Sequence, residues 1–292
     1  MSCLDDKIAG MNLGIVRKRF ELELDTHYTQ QEIRQHFSEL CRHFFGLQAA
    51  AVVLALNQPI DDVNAAKLLQ SLDKLKDNIP IQHIVGQVSF AKAIITVSGA
   101  ALIPRPETEE LVHYILESSP AGKPLQVLDI GTGSGCIAIA LKQARPNWHI
   151  TAWDNDVNAL MLAQQNATHN NVNIRVEQRD VLTEVLPMRK WDIIVSNPPY
   201  VPEHLKKNTA PHVLLHEPHQ AIFVPDDNPL LFYKSIAAYA KTQLAASGTL
   251  FFEGHDSLMK TLKIFLEKQG FCDIVLRNDF RNHPRFIVAT NS

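Results

Sequence analysis

Cysteine is scarce and scattered in this chain: four residues in 292, at Cys3, Cys41, Cys136 and Cys272. No pair has the spacing of a metal knuckle or a redox dithiol, which points to a reducing cytoplasm. An excess of one charge is also missing. Lys and Arg number 28 against 31 Asp and Glu, a net charge of −3. That balance gives no broad basic footprint for a nucleic-acid duplex, and leaves only a local basic patch open. No stretch approaches the roughly 18 consecutive apolar residues of a membrane helix. Met1 to Gly10 carries two aspartates and no long apolar run, so it does not read as a signal peptide. No internal repeat or low-complexity tract interrupts the chain. What remains is ordinary for a globular protein: 46% hydrophobic and 20% charged residues, over a length that holds one or two domains with sizeable cores.

The pattern divides the chain in two. Residues 1–78 read as a small helical domain. Thr29-Gln30-Gln31-Glu32 has the form of a capping box and opens an amphipathic helix through Phe45. Asp61 or Asp62 caps another helix, with Val63, Leu68, Leu69, Leu72 and Leu75 at helical spacing, and Asn78 to Pro80 ends it. Residues 79–103 form a linker, in which β-branched runs either side of Ala91-Lys92 predict a β-hairpin. Residues 104–292 alternate strand and helix, as a doubly wound, mostly parallel α/β sheet requires. Seven strands are expected, near 125–130, 149–153, 173–178, 191–195, 249–253, 271–276 and 285–289.

Two stretches carry chemistry. Asn197-Pro198-Pro199-Tyr200 follows the apolar strand Trp191 to Val195. Consecutive prolines donate no backbone hydrogen bond and cannot continue a central strand, and the residue before each is pushed to extended geometry. The result is a stiff loop whose Asn197 side-chain oxygen and backbone carbonyls form a set of acceptors suited to a planar NH2 group. Upstream, Val127-Leu128-Asp129-Ile130 runs into Gly131-Thr132-Gly133-Ser134-Gly135 and then into a helical pattern from Cys136. Glycines there let the chain turn tightly and let a ligand approach the backbone. Asp154, at the end of the next strand, is spaced to accept from ribose hydroxyls. The spacing is G-x-G-x-G and not the dinucleotide G-x-G-x-x-G, and Asp129 places negative charge where a pyrophosphate would sit. A ligand with a cationic amino-acid end fits better.

Together these stretches resemble the class I S-adenosylmethionine-dependent methyltransferases that act on planar nitrogens. Pro80 to Gly86, Leu102 to Val112, Glu217-Pro218-His219-Gln220-Ala221 and Pro229 to Tyr233 narrow the resemblance to the release factor glutamine N5-methyltransferases (HemK/PrmC type), from about Ile79 to the C-terminus. His83 departs from the aromatic residue usual there. The resemblance implies S-adenosylmethionine as cofactor, S-adenosylhomocysteine as product, and class I peptide chain release factors as substrate. No metal, membrane or stable nucleic-acid partner is expected, and the default is a monomer. It also implies cofactor contacts from Asp129, the segment Gly131 to Gly135, Asp154, Asp180, Val181 and Asn197. Asn197, Pro198, Pro199 and Tyr200 would hold the glutamine amide, with Tyr200 packed on it, and Arg105 and Glu107 would line the substrate channel.

Blander readings stand beside these. Asp154 could be a helix N-cap, Asp180 a turn residue, and Glu107 a charge favouring a helix dipole. His204, His212, His216 and His219 lack zinc spacing and read as exposed loop histidines. Glu253-Gly254-His255 reads as a wall of the pocket. Two other functions stay open: methylation of an exocyclic amine in DNA or RNA, and a non-catalytic nucleotide-binding scaffold.

Overall fold

The computed structural model describes residues 10–291. Cys3 and the N-terminal stretch read above for a leader lie outside the described residues. Two compact units emerge. The first runs to Gly86 and includes Pro211–His216; the second comprises Gln87–Ala210 and Glu217–Ser292.

The first unit is helical: α1 (Leu13–Glu23), α2 (Gln30–Phe45), α3 (Ala49–Leu54), α4 (Asp62–Lys76) and α5 (Ile81–Val85). Local chemistry sets these limits. At α2 the Thr29 side chain accepts from Glu32 N while Glu32 accepts from Thr29 N, the reciprocal capping box, and Gly46 ends the helix at φ +69°. Asp61 caps α4. Leu13, Val16, Phe20, Ile33, Phe37 and Leu68 sit among the fully packed residues of the core, where Phe20 meets Phe37 edge-on at 5.2 Å. Pro211–His216, on the later histidine-rich stretch, also belongs to this unit as a short helix, with His216 Nε2 3.3 Å from the Asp77 carbonyl. The loop expected there is therefore replaced by short helices, and His212 and His216 are half-buried while His204 and His219 are exposed. Pro211 at the first helical position is pre-set for that geometry.

The second unit opens with the hairpin β1 (Gln87–Phe90) and β2 (Ala93–Thr96), paired antiparallel around Ala91 at φ +51°. Then follow α6 (Pro106–Ser118), β3 (Gln126–Ile130), α7 (Cys136–Ala144), β4 (His149–Asp154), α8 (Val157–His169), β5 (Arg175–Gln178) and β6 (Trp191–Ser196). After the two-residue strands β7 (Val201–Pro202) and β8 (Phe223–Val224), which flank α9 (Pro211–His216), come α10 (Leu231–Gln243), β9 (Leu244–Glu253), α11 (Asp256–Lys268), β10 (Cys272–Asn278) and β11 (Pro284–Thr290). The seven-stranded sheet has the order β10-β11-β9-β6-β3-β4-β5, with β11 antiparallel to both neighbours and the remaining pairs parallel.

Strand periodicity splits the core into two layers. Val127, Ile193, Val195 and Phe251 face α6 and α7 on one side; Leu128, Ile194, Leu250 and Phe252 face α10 and α11 on the other. The hairpin belongs to the first layer through Phe90, Ala93 and Ile95. It is pinned by two buried or half-buried asparagines of the α8 region. Asn166 Oδ1 accepts from Thr96 N at 2.8 Å while its Nδ2 donates to the Thr96 and Ser134 carbonyls, and Asn170 makes the equivalent pair with Ile94.

Candidate active site

β3 and β6 are parallel neighbours, with Ile130 in register with Ser196. Their C-terminal ends therefore place the glycine turn and the Asn-Pro-Pro-Tyr loop side by side, where open α/β sheets bind ligands. Ser196 Oγ ties the two ends by donating to the Ile130 carbonyl at 2.7 Å.

The glycine turn is built from its own backbone. Gly131 N and Thr132 N both donate to the Trp153 carbonyl, at 2.8 and 2.9 Å. Gly131 and Gly135 have φ of +71° and +81°. At Gly135 a second constraint applies, because a Cβ there would lie 3.0 Å from the Ala163 Cβ of α8. Glycine at this position allows both the left-handed turn and the close helix approach.

The turn rests on two acids that behave differently. Asp154 ends β4 and lines the cavity. Its Oδ2 accepts from Gly133 N at 2.8 Å and its Oδ1 from Asp156 N at 3.0 Å. It does not cap α8; Asp156 does, accepting from Asn158 N. Burial raises the Asp154 carboxyl above its ordinary value against these backbone donors. Asp129 is fully buried behind the turn and is not on the cavity wall. It accepts from Thr132 Oγ1 at 2.6 Å, and burial pushes it up to about 7. One of its oxygens thus braces the turn from below.

The cavity runs from this turn to the β6 loop. Gly131, Thr132, Gly133 and Ser134 line it, as do Asp180 and Val181 after β5 and Asn197, Pro198 and Pro199 after β6. Asp180 also performs the turn role, accepting from Leu182 N at 2.8 Å and Thr183 Oγ1 at 2.8 Å. The Val181 carbonyl accepts from Ser235 Oγ of α10, so this wall is fixed from both sides. Gly135, Tyr200 and Glu107 stand off the cavity. Tyr200 is half-buried beside His255, ring centroids 6.3 Å apart, and burial lifts its hydroxyl to about 12, so it is a neutral phenol at working pH. Glu107 lies in the first turn of α6, where a carboxylate favours the helix dipole.

Several residues that shape the cavity fall in stretches that carry the resemblance or border the site, but the sequence gives them none of the contacts the structure shows. Glu217 is buried, and its carboxylate accepts from Ile103 N at 3.0 Å and from Arg105 Nη2 at 2.6 Å. This fixes the Ile103–Arg105 segment that lines the cavity. Gln220 Nε2 donates to Asp156 Oδ2 at 2.9 Å, joining the same loop to the end of β4. Thr108 also lines the cavity and accepts from Asn197 Nδ2 at 3.1 Å. Glu253 is off the cavity, contrary to the wall expected from sequence: it is 1% exposed, behind Thr108, whose hydroxyl donates to it at 2.8 Å. Its parallel neighbour β6 turns away into the loop at that level, leaving a buried seat that α6 covers.

The set fits S-adenosylmethionine. A glycine turn open to backbone approach, a carboxylate at the end of the next strand and apolar Val181, Phe232 and Ile236 offer polar and flat apolar surfaces in the order a nucleoside needs.

Comparison with known proteins agrees. A family model for the methyltransferase small domain matches residues 108–223. Proteins named release factor glutamine methyltransferase from Flavobacterium psychrophilum and Bacteroides thetaiotaomicron are 38% and 34% identical, over 93% and 90% of this chain and 96% and 94% of their own lengths. That of Streptococcus pneumoniae is 38% identical over 83% of this chain and 85% of its own. Among solved structures, a methyltransferase from Pyrococcus furiosus superposes with a TM-score of 0.52 at 16% identity, covering 80% of this chain and 100% of that one. A T. thermophilus 16S rRNA N2 methyltransferase in complex with AdoMet and guanosine gives 0.51 at 16%, covering 70% and 50%. These two share the expected class I methyltransferase fold. Identity at this level over nearly the whole length of the curated relatives places the chain in the release factor glutamine methyltransferase family.

Proposed function

We propose that this protein transfers a methyl group from S-adenosylmethionine to the side-chain amide nitrogen (N5) of the glutamine in the Gly-Gly-Gln motif of class I peptide chain release factors. The observation that carries the reading is the placement of Asn197 just past the end of β6, the strand beside the glycine turn, its Nδ2 engaged by Thr108 and its Oδ1 left as an acceptor. The relatives' shared name supports the choice of substrate.

The residues that would hold the cofactor are Gly131 to Ser134, Asp154, Asp180 and Val181. When bound, it supplies an electrophilic methyl group on a sulfonium. The protein has to overcome the weak nucleophilicity of an amide nitrogen, whose lone pair is delocalised into the carbonyl. Asn197 Oδ1 and the Pro198 carbonyl accept the two N–H hydrogens and hold the nitrogen facing the glycine turn. Placed acceptors also stabilise positive charge growing on that nitrogen. Positioning of this kind contributes roughly 7–11 kcal/mol at best. The double proline keeps the acceptors rigid, Tyr200 supports the loop from behind, and Arg105 and Glu107 flank the approach of the peptide. The helical first unit would bind the body of the release factor. We further assign the protein to the cytoplasm, as a monomer.

Mass spectrometry tests this directly. An unmodified class I release factor is incubated with S-adenosylmethionine and either this protein or its Asn197→Ala variant. One added methyl on the Gly-Gly-Gln glutamine is expected, with the variant slower by about 10²–10³-fold, the loss typical of removing one oriented polar group. A short Gly-Gly-Gln peptide should be a poorer substrate than the whole factor. No added methyl, with cofactor binding intact, would overturn the substrate assignment.

A further inference from the structure

Asn197 is useful only in one of its two amide orientations. With Oδ1 inward it accepts from a substrate NH2; reversed, it sets donor against donor. What decides the orientation is legible in the packing behind it. Ser196 is in register with Phe252, so Asn197 and Glu253 leave adjacent strand ends together. Thr108, 3% exposed in the first turn of α6, stands between them. Its Oγ1 is 2.8 Å from Glu253 Oε2 and 3.1 Å from Asn197 Nδ2.

A hydroxyl has one hydrogen. An ionised Glu253 only accepts, so the Thr108 hydrogen must go to it. Only a lone pair then faces Asn197, and the asparagine must answer with N–H. We infer that Glu253 and Thr108 form a one-way hydrogen-bond relay that fixes Asn197 with its acceptor oxygen turned to the incoming amide, making both positioning residues for methyl transfer. The inference rests on the proposed transfer to a planar amide nitrogen.

The relay has a definite polarity only while Glu253 is ionised. The groups around that carboxylate are the cations Arg105 and Arg285, which favour ionisation, and Glu107, Tyr200, Tyr233 and the Cys136 thiol, from α6, the β6 loop, α10 and α7, which do not supply positive charge. Burial outweighs the Thr108 bond and the two cations and raises Glu253 to about 7. Once protonated, Glu253 can donate to Thr108, the Thr108 hydrogen is released towards Asn197, and the reversed amide becomes competitive. Transfer should therefore fall as pH drops through about 7.

The test compares the unaltered protein with Thr108→Val, Thr108→Ser and Glu253→Gln, using methyl transfer to the Gly-Gly-Gln glutamine and, separately, S-adenosylmethionine affinity by calorimetry. Thr108→Val should lower kcat by up to about 10²-fold, the cost of a misplaced reacting geometry, while cofactor affinity, felt only through the cavity wall that Thr108 shares, falls by far less. Thr108→Ser, which keeps the hydroxyl, should restore most of that loss. Glu253→Gln, which offers Thr108 either a donor or an acceptor, should lower the plateau and make the acid limb of the kcat profile shallower. Unchanged kcat in Thr108→Val, cofactor affinity falling in step with kcat, or an acid limb in Glu253→Gln as deep as that of the unaltered protein would each overturn the relay, a shallower limb being left to Asp129 beneath the glycine turn. If Thr108→Val does not fold, the pH profiles of the unaltered protein and Glu253→Gln decide. No transfer by the unaltered protein would bring down the substrate reading and the relay with it, whereas transfer with unresponsive variants would bring down the relay alone.

Discussion

Glu217 offers a quantitative test of how the cavity wall is held. Its side chain is 0% exposed, while that of its partner Arg105 is 32% exposed. The carboxylate makes two contacts of different character. The bond from Ile103 N is buried, and deleting its acceptor leaves an unsatisfied amide, a cost of about 1–3 kcal/mol. The ion pair with Arg105 is partly solvated, so its contribution is discounted to about 1 kcal/mol. Glu217→Ala, which loses both, should cost about 3 kcal/mol. Glu217→Gln keeps an oxygen for Ile103 but turns its NH2 to the guanidinium, so it should cost about 1–2 kcal/mol. Urea unfolding followed by tryptophan fluorescence reports on the right unit, because Trp148, Trp153 and Trp191 are all buried in it. The double variant Glu217→Gln with Arg105→Ala should show a coupling near 1 kcal/mol. Cofactor affinity should weaken along the same series, since Ile103 and Arg105 line the cavity. Equal destabilisation by Ala and Gln would refute the role given to the Ile103 bond. A coupling of zero would refute the ion pair.

Two further outcomes follow from the same packing. Glu253 is raised from 4.5 to about 7, so the native state favours its protonated form. The stability this gives is full below the unfolded value and is lost as pH rises through about 7, an upper bound of roughly 3 kcal/mol. Glu253→Gln should remove that part of the slope between about pH 4.5 and 7, and denaturation curves that keep the slope of the unaltered protein would refute the burial argument. The glycine turn gives a paired prediction in thermal melts. Gly131→Ala meets nothing within 4 Å and should cost only the left-handed backbone, about 1 kcal/mol, whereas Gly135→Ala also presses on Ala163 and Ile139 and should cost roughly 2–5 kcal/mol. Equal melting shifts would show that helix approach is not what requires Gly135.

What the sequence makes legible follows from what is local. The run at 126–130 declares a buried strand because Val127, Leu128 and Ile130 put apolar side chains on both of its faces, and the glycines after it declare a turn because no other residue takes that backbone cheaply. Thr29 and Glu32 announce α2 from three residues apart. The proline pair announces a rigid strand end by steric necessity alone. Local chemistry also explains one failure: Pro211 starts a helix within a stretch whose histidines suggested loop. Asp129 shows a different limit: its charge invites a place at the ligand, and the structure shows it buried behind the turn, with one oxygen on Thr132.

The residues that orient the site are illegible for a physical reason. Thr108 and Asn197 are 89 positions apart, and Thr108 and Glu253 are 145 apart. Nothing in either neighbourhood marks them as partners. Glu253, at the end of an apolar strand, reads in sequence as a wall of the pocket, because an acid leaving a sheet is expected to face open space and not to be buried behind it. It becomes the neighbour of Asn197 only because the sheet order sets β9 beside β6, and it becomes buried only because α6 covers that edge. Strand order is a property of the whole fold, and several orders satisfy the same alternation of strand and helix. A buried acid in that position costs stability that an apolar side chain of similar size would not. Its hydroxyl partner in turn holds the single asparagine of the acceptor loop, so what it supplies there is direction and not strength.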